Sequence, residues 1–189
     1  QATASAPEPS PQDRVMGLFQ EVDEQKAEEI VYALTLYHIE SSQPIQFYIN
    51  SPGGAACDMF SIYDFMRTVR TTTPVITYGL GKVMSASVLL LAAGTKGERK
   101  IGKNCRVMIH SVMAGTGGAL HDLRNEMKEI QTIQDLYMNA LCDETRFTKK
   151  KLKQLFSQNV NIYLSAEEAV EYGIADIIVW GKKMSITKG

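Results

Sequence analysis

Three short stretches carry residues able to do chemistry. The first is "GLGKVMSAS" at 79–87, where a glycine-bounded turn leads to Ser85 and then to the apolar run "VLLLAAG". A serine between a strand and a helix faces free backbone N–H groups and a partial positive charge. That setting suits a nucleophile beside an oxyanion hole, and it equally suits a serine that only caps the helix. The stretch lacks the G-x-S-x-G elbow of the α/β-hydrolases, so the residues alone leave both readings open. The second stretch, "SPGG" at 51–54, ends a strand with two glycines that let backbone approach a ligand and point N–H groups at it. A plain turn would look the same. The third is "RVMIH" at 106–110, whose closing His110 precedes the glycine-rich "AGTGG". A histidine at a strand end beside a loop is a candidate general base, although a lone histidine is more often a satisfied packing residue. Serine, histidine and free amides together would be the parts of an acyl-transfer site.

These residues are set among alternating strands and helices. A helical pattern begins near Val22, with Ala27, Ile30, Val31, Leu34 and Tyr37/His38 at steps of three and four. "PIQFYIN" and "PVITYGL" read as short strands ending in turn residues, with a helix between them from about Ala56 to Arg70. "MSASVLLLAAG" is too long and alanine-rich for a strand and reads as a buried helix. "RKIG" and "RVMIH" read as short strands, and "IADIIVW" as a final one. From about 120 to 147 the residues Leu120, Leu123, Met127, Ile130, Ile133, Tyr137, Ala140 and Leu141 mark one long helix. At 1.5 Å per residue it would run roughly 40 Å, longer than a small domain can cover. An apolar stripe on a projecting rod needs a partner, which predicts self-association. A shorter helix is predicted at 148–156, where the basic run "KKKLK" reads as a solvated face. In "SAEEAVEYG", Ser165 and Glu168 form a capping box and Gly173 a stop. The alternation predicts an α/β fold of β-α-β units with right-handed crossovers.

Composition narrows the classes further. With 189 residues, 20 basic and 21 acidic side chains and a net charge of -1, the chain suits one domain and offers no global field for nucleic acid or an anionic membrane. Cys57, Cys105 and Cys142 are odd in number and widely spaced, which argues against disulfides or zinc and for a reducing, cytoplasmic setting. His38, His110 and His121 have no metal-motif partner. No apolar run is long enough to span a membrane. Residues 1–12, rich in Ala, Pro and Ser, read as a flexible tail, 13–180 as one domain and 181–189 as a second tail.

Taken in order, "YINSPGG", "SIYDFMR", the G-x-x-x-S turn before "LLLAAGTKGERK", "NCRVMIH" and "YLSAEEAVEYGIAD" resemble the proteolytic subunit of the Clp protease, ClpP. The resemblance runs from about Asp13 to Val179. Five segments in sequence are far more specific than any one of them. The altered wording around Ser85 and His110 suggests a phage-encoded or otherwise divergent member. The resemblance implies the ClpP/crotonase-like spiral of β-α-β units with a long projecting handle helix, here 120–147. It implies Ser85 as nucleophile, His110 as general base, and the Gly54 and Ala86 N–H groups as the oxyanion hole. It also implies two stacked heptameric rings enclosing a chamber, polypeptide substrates, no cofactor in this subunit, and a separate AAA+ unfoldase that spends ATP.

The chain departs from the family at the third triad position. The aspartate expected two residues before the aromatic of the "FLSA" segment is Asn161, and no carboxylate lies between Ser157 and Ser165. An asparagine can accept a hydrogen bond but supplies no charge to stabilise an imidazolium. In another serine enzyme this replacement costs about 10⁴ in rate. The expectation is a slow but competent Ser85–His110–Asn161 endopeptidase. The alternative is a weak or inactive structural subunit in mixed rings with an active homologue. An acyl-CoA enzyme on the same fold has no supporting feature. "HSV" at 110–112 replaces the usual "HQP", so the strand lining the groove is expected to sit differently. Only twelve residues precede Asp13, where the family has an axial hairpin and a short helix, so altered gating and unfoldase docking are expected. "RTVRTTTPV" carries a two-residue insertion, expected in a surface loop.

Overall fold

A computed structural model of the chain describes residues 14–115, 117–158 and 161–179. The tails expected at 1–12 and 181–189 lie outside them. Strands β1 (Val15–Leu18), β2 (Ile45–Ser51) and β3 (Val75–Met84) alternate with helices α1 (Glu24–Glu40) and α2 (Ala56–Val69). Helix α3 (Ala86–Ala92) follows β3 directly, then β4 (Arg99–Gly102) and β5 (Arg106–Ile109). The rest comprises α4 (Leu120–Glu144), α5 (Lys149–Phe156), β6 (Ile162–Leu164), α6 (Ala166–Glu171) and β7 (Ile177–Val179). The architecture is the α/β one expected, in β-α-β units. Strand β1 has no counterpart in the sequence reading. Its four residues, "VMGL", are too few for a period-two pattern to stand out.

Among the described residues the sheet has seven strands, with β1-β2-β3-β4-β7 in parallel along one path. Strand β3 serves two partners. Thr77–Gly79 pair with β4, and Lys82–Met84 pair with β5. The strand turns between them at Gly81, whose φ of +61° favours glycine. Strand β5 then pairs antiparallel with β6. This division carries the end of β3, and Ser85 after it, away from the main sheet toward β5 and His110.

Helix α3 lies at the centre. Val88 to Ala93 are wholly buried, which explains a run with no polar face. Its entrance is pinned by Ser87, whose Oγ accepts from the Met84 N–H at 2.8 Å and lies 3.0 Å from the Ser51 carbonyl oxygen. The loop holding the insertion is not wholly superficial, because Thr73 is buried and its hydroxyl lies 2.9 Å from His38 Nδ1.

Helix α4 ends at Glu144, three residues short of the expected 147. Thr145 is extended and its N–H closes the last turn on Leu141. Its first turns are exposed, including Leu120 and Met127, while Tyr137, Met138, Ala140 and Leu141 are buried. A buried polar cluster anchors that end. The Glu144 carboxylate accepts from Arg70 at 2.8 and 2.9 Å and from the Tyr63 hydroxyl at 3.1 Å, with Lys96 Nζ 2.9 Å away. Burial alone would raise its pKa. The hydrogen bonds from Arg70 and Lys96 overcome that and hold the carboxyl below its ordinary range. Arg99 donates to the Glu144 carbonyl at 2.7 Å and pairs with Asp176 at 2.7 Å. In α5, Leu152 is buried and the lysines face outward, as a solvated basic face requires. The capping box at Ser165 and Glu168 is formed.

Candidate active site

Ser85, Gly54, Ala86 and His110 line one cavity of about 290 Å³, together with Glu21, Met59, Val112, Met113 and Tyr137. Four of the five residues singled out in the sequence therefore meet. β3 and α3 deliver Ser85, the β2–α2 turn delivers Gly54, and the end of β5 delivers His110.

Ser85 has φ 56° and ψ -126°, and among the described residues it is the one non-glycine residue with positive φ. Such a conformation costs of order 1–3 kcal/mol and persists only where its surroundings impose it. Here the Ser85 N–H donates to the Met108 carbonyl on β5 at 2.7 Å. Its own carbonyl accepts from Val88 N–H at 3.1 Å and from the Tyr137 hydroxyl at 3.0 Å. The side chain makes no capping bond. Of the two readings open in the sequence, the ordinary cap is thus absent, and the hydroxyl is left on the cavity wall.

Gly53 packs directly against this turn. At φ +95° a Cβ there would lie 2.7 Å from Ser85 Cβ and 2.7 Å from the Met84 carbonyl oxygen. Gly54 makes an isolated parallel bridge with Val22, and a Cβ there would collide with the Val22 carbonyl. Val22 N–H and Ala55 N–H take up the bridge hydrogen bonds, so the Gly54 N–H has no acceptor among the described residues. Ala86 is the first residue of α3, and its N–H is likewise outside the helical ladder.

His110 is half-buried, one residue past the end of β5. Its Nδ1 lies 2.5 Å from the Ser111 carbonyl oxygen. A carbonyl only accepts, which assigns the proton to Nδ1 and leaves the Nε2 lone pair free. No hydrogen bond joins His110 to Ser85; such contacts often tighten only when substrate binds. Asn161 is exposed and is not among the residues lining the cavity. The β5–β6 ladder ends at the Ile109–Ile162 pair, and His110 and Asn161 are the next residue beyond it on each chain segment. Among the described residues no hydrogen bond links the two.

Two residues of the site were missed in the sequence. Tyr137 reads there only as one position of an apolar stripe, because a phenol fits a packing pattern as well as leucine does. Gln134 accepts from the Val112 N–H at 2.6 Å and so ties α4 to the segment after His110; nothing in the sequence singles it out. The cysteines are unpaired. Burial pushes the Cys105 thiol up to about 11, far from a reactive thiolate.

Comparison with known proteins identifies the family. The Clp protease family profile matches residues 10–182. The chain is 35% identical over 168 residues to the ATP-dependent Clp protease proteolytic subunit 4 of Rhodococcus jostii, covering 88% of this chain and 84% of that one. It is 37% identical over 177 residues to proteolytic subunit 2 of Corynebacterium jeikeium, covering 92% and 82%. Proteolytic subunit 2 of Prochlorococcus marinus strain MIT 9312 is 37% identical over 169 residues, covering 88% and 81%. The chain belongs to the Clp protease family and is a divergent member of it. Among the described residues no helix is long and apolar enough to cross a membrane.

Proposed function

We propose that this chain is a serine-type peptidase subunit of a self-compartmentalised protease, acting on unfolded polypeptides and short peptides. One observation carries the reading. Among the described residues Ser85 is the one non-glycine residue with positive φ, and it opens with its side chain uncommitted onto a cavity also lined by His110, Gly54 and Ala86. His110 Nε2 takes the proton as Ser85 Oγ attacks the peptide carbonyl carbon. The Gly54 and Ala86 N–H groups hold the oxyanion that forms. The C–N bond breaks, His110 passes the proton to the leaving amine, and water hydrolyses the acyl-serine by the same route. These steps need no metal or cofactor. ATP would be spent by a separate unfoldase partner.

The Ser111 carbonyl holds the imidazole in the working tautomer, and Asn161, at the third triad position, has only a neutral amide to offer. Neither stabilises the imidazolium as a carboxylate would, so turnover is slow. A weak or inactive subunit in mixed rings is the second reading, and the absence of that carboxylate favours it.

Labelling by a fluorophosphonate, followed by intact mass on the assembled protein, tests the choice. Wild type is expected to label slowly, and Ser85→Ala not at all. Asn161→Asp is expected to label at least about tenfold faster, a gain of about 1.4 kcal/mol in transition-state stability. No labelling of assembled wild type, restored by Asn161→Asp, would establish the second reading.

A further inference from the structure

Tyr137 belongs to α4, yet its ring lines the cavity and its hydroxyl donates to the Ser85 carbonyl at 3.0 Å. That carbonyl and the Ala86 N–H are the two ends of one peptide unit. No cis peptide occurs among the described residues, so the two groups point in opposite directions. Whatever holds the carbonyl on one side therefore aims the N–H on the other. The preceding peptide is already held by β5, through Ser85 N–H and Met108. The peptide after Ser85 is held by Val88 N–H, which belongs to the same turn, and by Tyr137, which does not. Tyr137 is 4% exposed and stacks on Phe156 of α5 with ring centroids 6.5 Å apart and planes within 8°. Burial pushes its hydroxyl well above the usual phenol range, so it remains a neutral donor wherever the protein is folded.

We infer that Tyr137 is a positioning residue whose hydroxyl locks the Ser85–Ala86 peptide and so aims the Ala86 N–H at the oxyanion. The inference rests on the peptidase reading for its consequence, but the locking itself is a property of the fold. A backbone held at φ 56° by one local hydrogen bond could rotate this peptide, and a rotated peptide would present a carbonyl where the oxyanion forms. The second hydrogen bond, from a different helix, opposes that rotation. It also makes the orientation of the donor depend on how the α4–α5 pair sits against α3.

The test uses Tyr137→Phe in the full-length assembled protein, since this change keeps the stack on Phe156 and deletes only the hydroxyl. With a short fluorogenic peptide, kcat is expected to fall about tenfold or more while KM stays within about twofold, because the lost contact acts on the transition state. Inhibition by a peptide aldehyde, whose hemiacetal carries the oxyanion, is expected to weaken by the same factor as kcat. Amide exchange over 85–91 is expected to quicken severalfold, because the Val88 N–H loses a fixed acceptor. A merely structural tyrosine would lower thermal stability with kcat and aldehyde affinity unmoved, and that result would overturn the inference. If the wild type proves inert to every acyl substrate, the peptidase reading falls separately. The exchange arm then decides, and unchanged exchange over 85–91 in Tyr137→Phe would sink the positioning role.

Discussion

Ser85 and Gly53 form one structural unit. The serine keeps a backbone conformation that L-residues avoid, and the glycine lets the β2–α2 turn press against it without side-chain conflict. Gly53→Ala would add a Cβ at φ +95°, 2.7 Å from both Ser85 Cβ and the Met84 carbonyl oxygen. One of the two turns must then move. The expected result is about 1–3 kcal/mol of lost stability, from the backbone strain alone. Fluorophosphonate reactivity of Ser85 should also fall at least tenfold, since 1.4 kcal/mol is a factor of ten. Thermal melts and labelling rates on the same samples check both. Reactivity unchanged in a destabilised protein would mean that the serine turn is set from β5 and α4 without help from the glycine.

Helix α4 reaches the site because its C-terminal end is fixed, and the Glu144 cluster fixes it. Glu144→Gln would leave Arg70 without a charged partner, at a cost of about 2–4 kcal/mol. The pH dependence follows from the direction of the shift. Burial opposes both carboxylates, yet hydrogen bonds from Arg70 and Lys96 to Glu144, and from Arg99 and the Gly97 N–H to Asp176, hold the carboxyls below their ordinary values of 4.5 and 3.8. Between the unfolded and the folded pKa the unfolded chain binds more protons, so stability rises with pH across that window. The contribution is complete above the unfolded values and is lost as pH falls through the folded ones. Melting temperature should therefore drop steeply below about pH 4.5, and Glu144→Gln should flatten that limb while lowering the plateau. A limb of unchanged slope in Glu144→Gln would place the acid sensitivity elsewhere.

For the whole molecule the exposed half of α4 is decisive. Leu120 is 61% and Met127 65% exposed, on a helix whose other end is buried. Apolar side chains left to water on such a helix favour contact with another copy. Met127→Glu is expected to shift sedimentation toward smaller assemblies at equal concentration, with Ser85 geometry and the isolated fold intact. A sedimentation profile identical to wild type would remove α4 as the assembly surface. The fold leaves its other consequence in the sheet, where β3 divides between β4 and β5. That division brings a serine and a histidine twenty-five residues apart to one cavity.

Much of this was legible in the residues. Steps of three and four marked α1 and α4, because a helix burying one face needs that period. The turns at Gly53 and Gly54 were visible because only glycine suits their backbone. Ser85, His110, Gly54 and Ala86 could be named from local pattern and resemblance, since each stands at a junction of elements. The tertiary structure alone decided the rest. Whether Ser85 capped its helix depended on a backbone angle imposed by β5 and α4, which no local pattern encodes. Asn161 could be matched by position, but its relation to His110 depends on strand register and on a competing carbonyl one residue away. Tyr137 looked like packing because sequence reports that a side chain is apolar enough to bury, not which carbonyl its hydroxyl will meet. Periodicity is set by neighbours along the chain, whereas a hydrogen bond between Tyr137 and Ser85, fifty-two residues apart, exists only once the sheet and helices have brought them together.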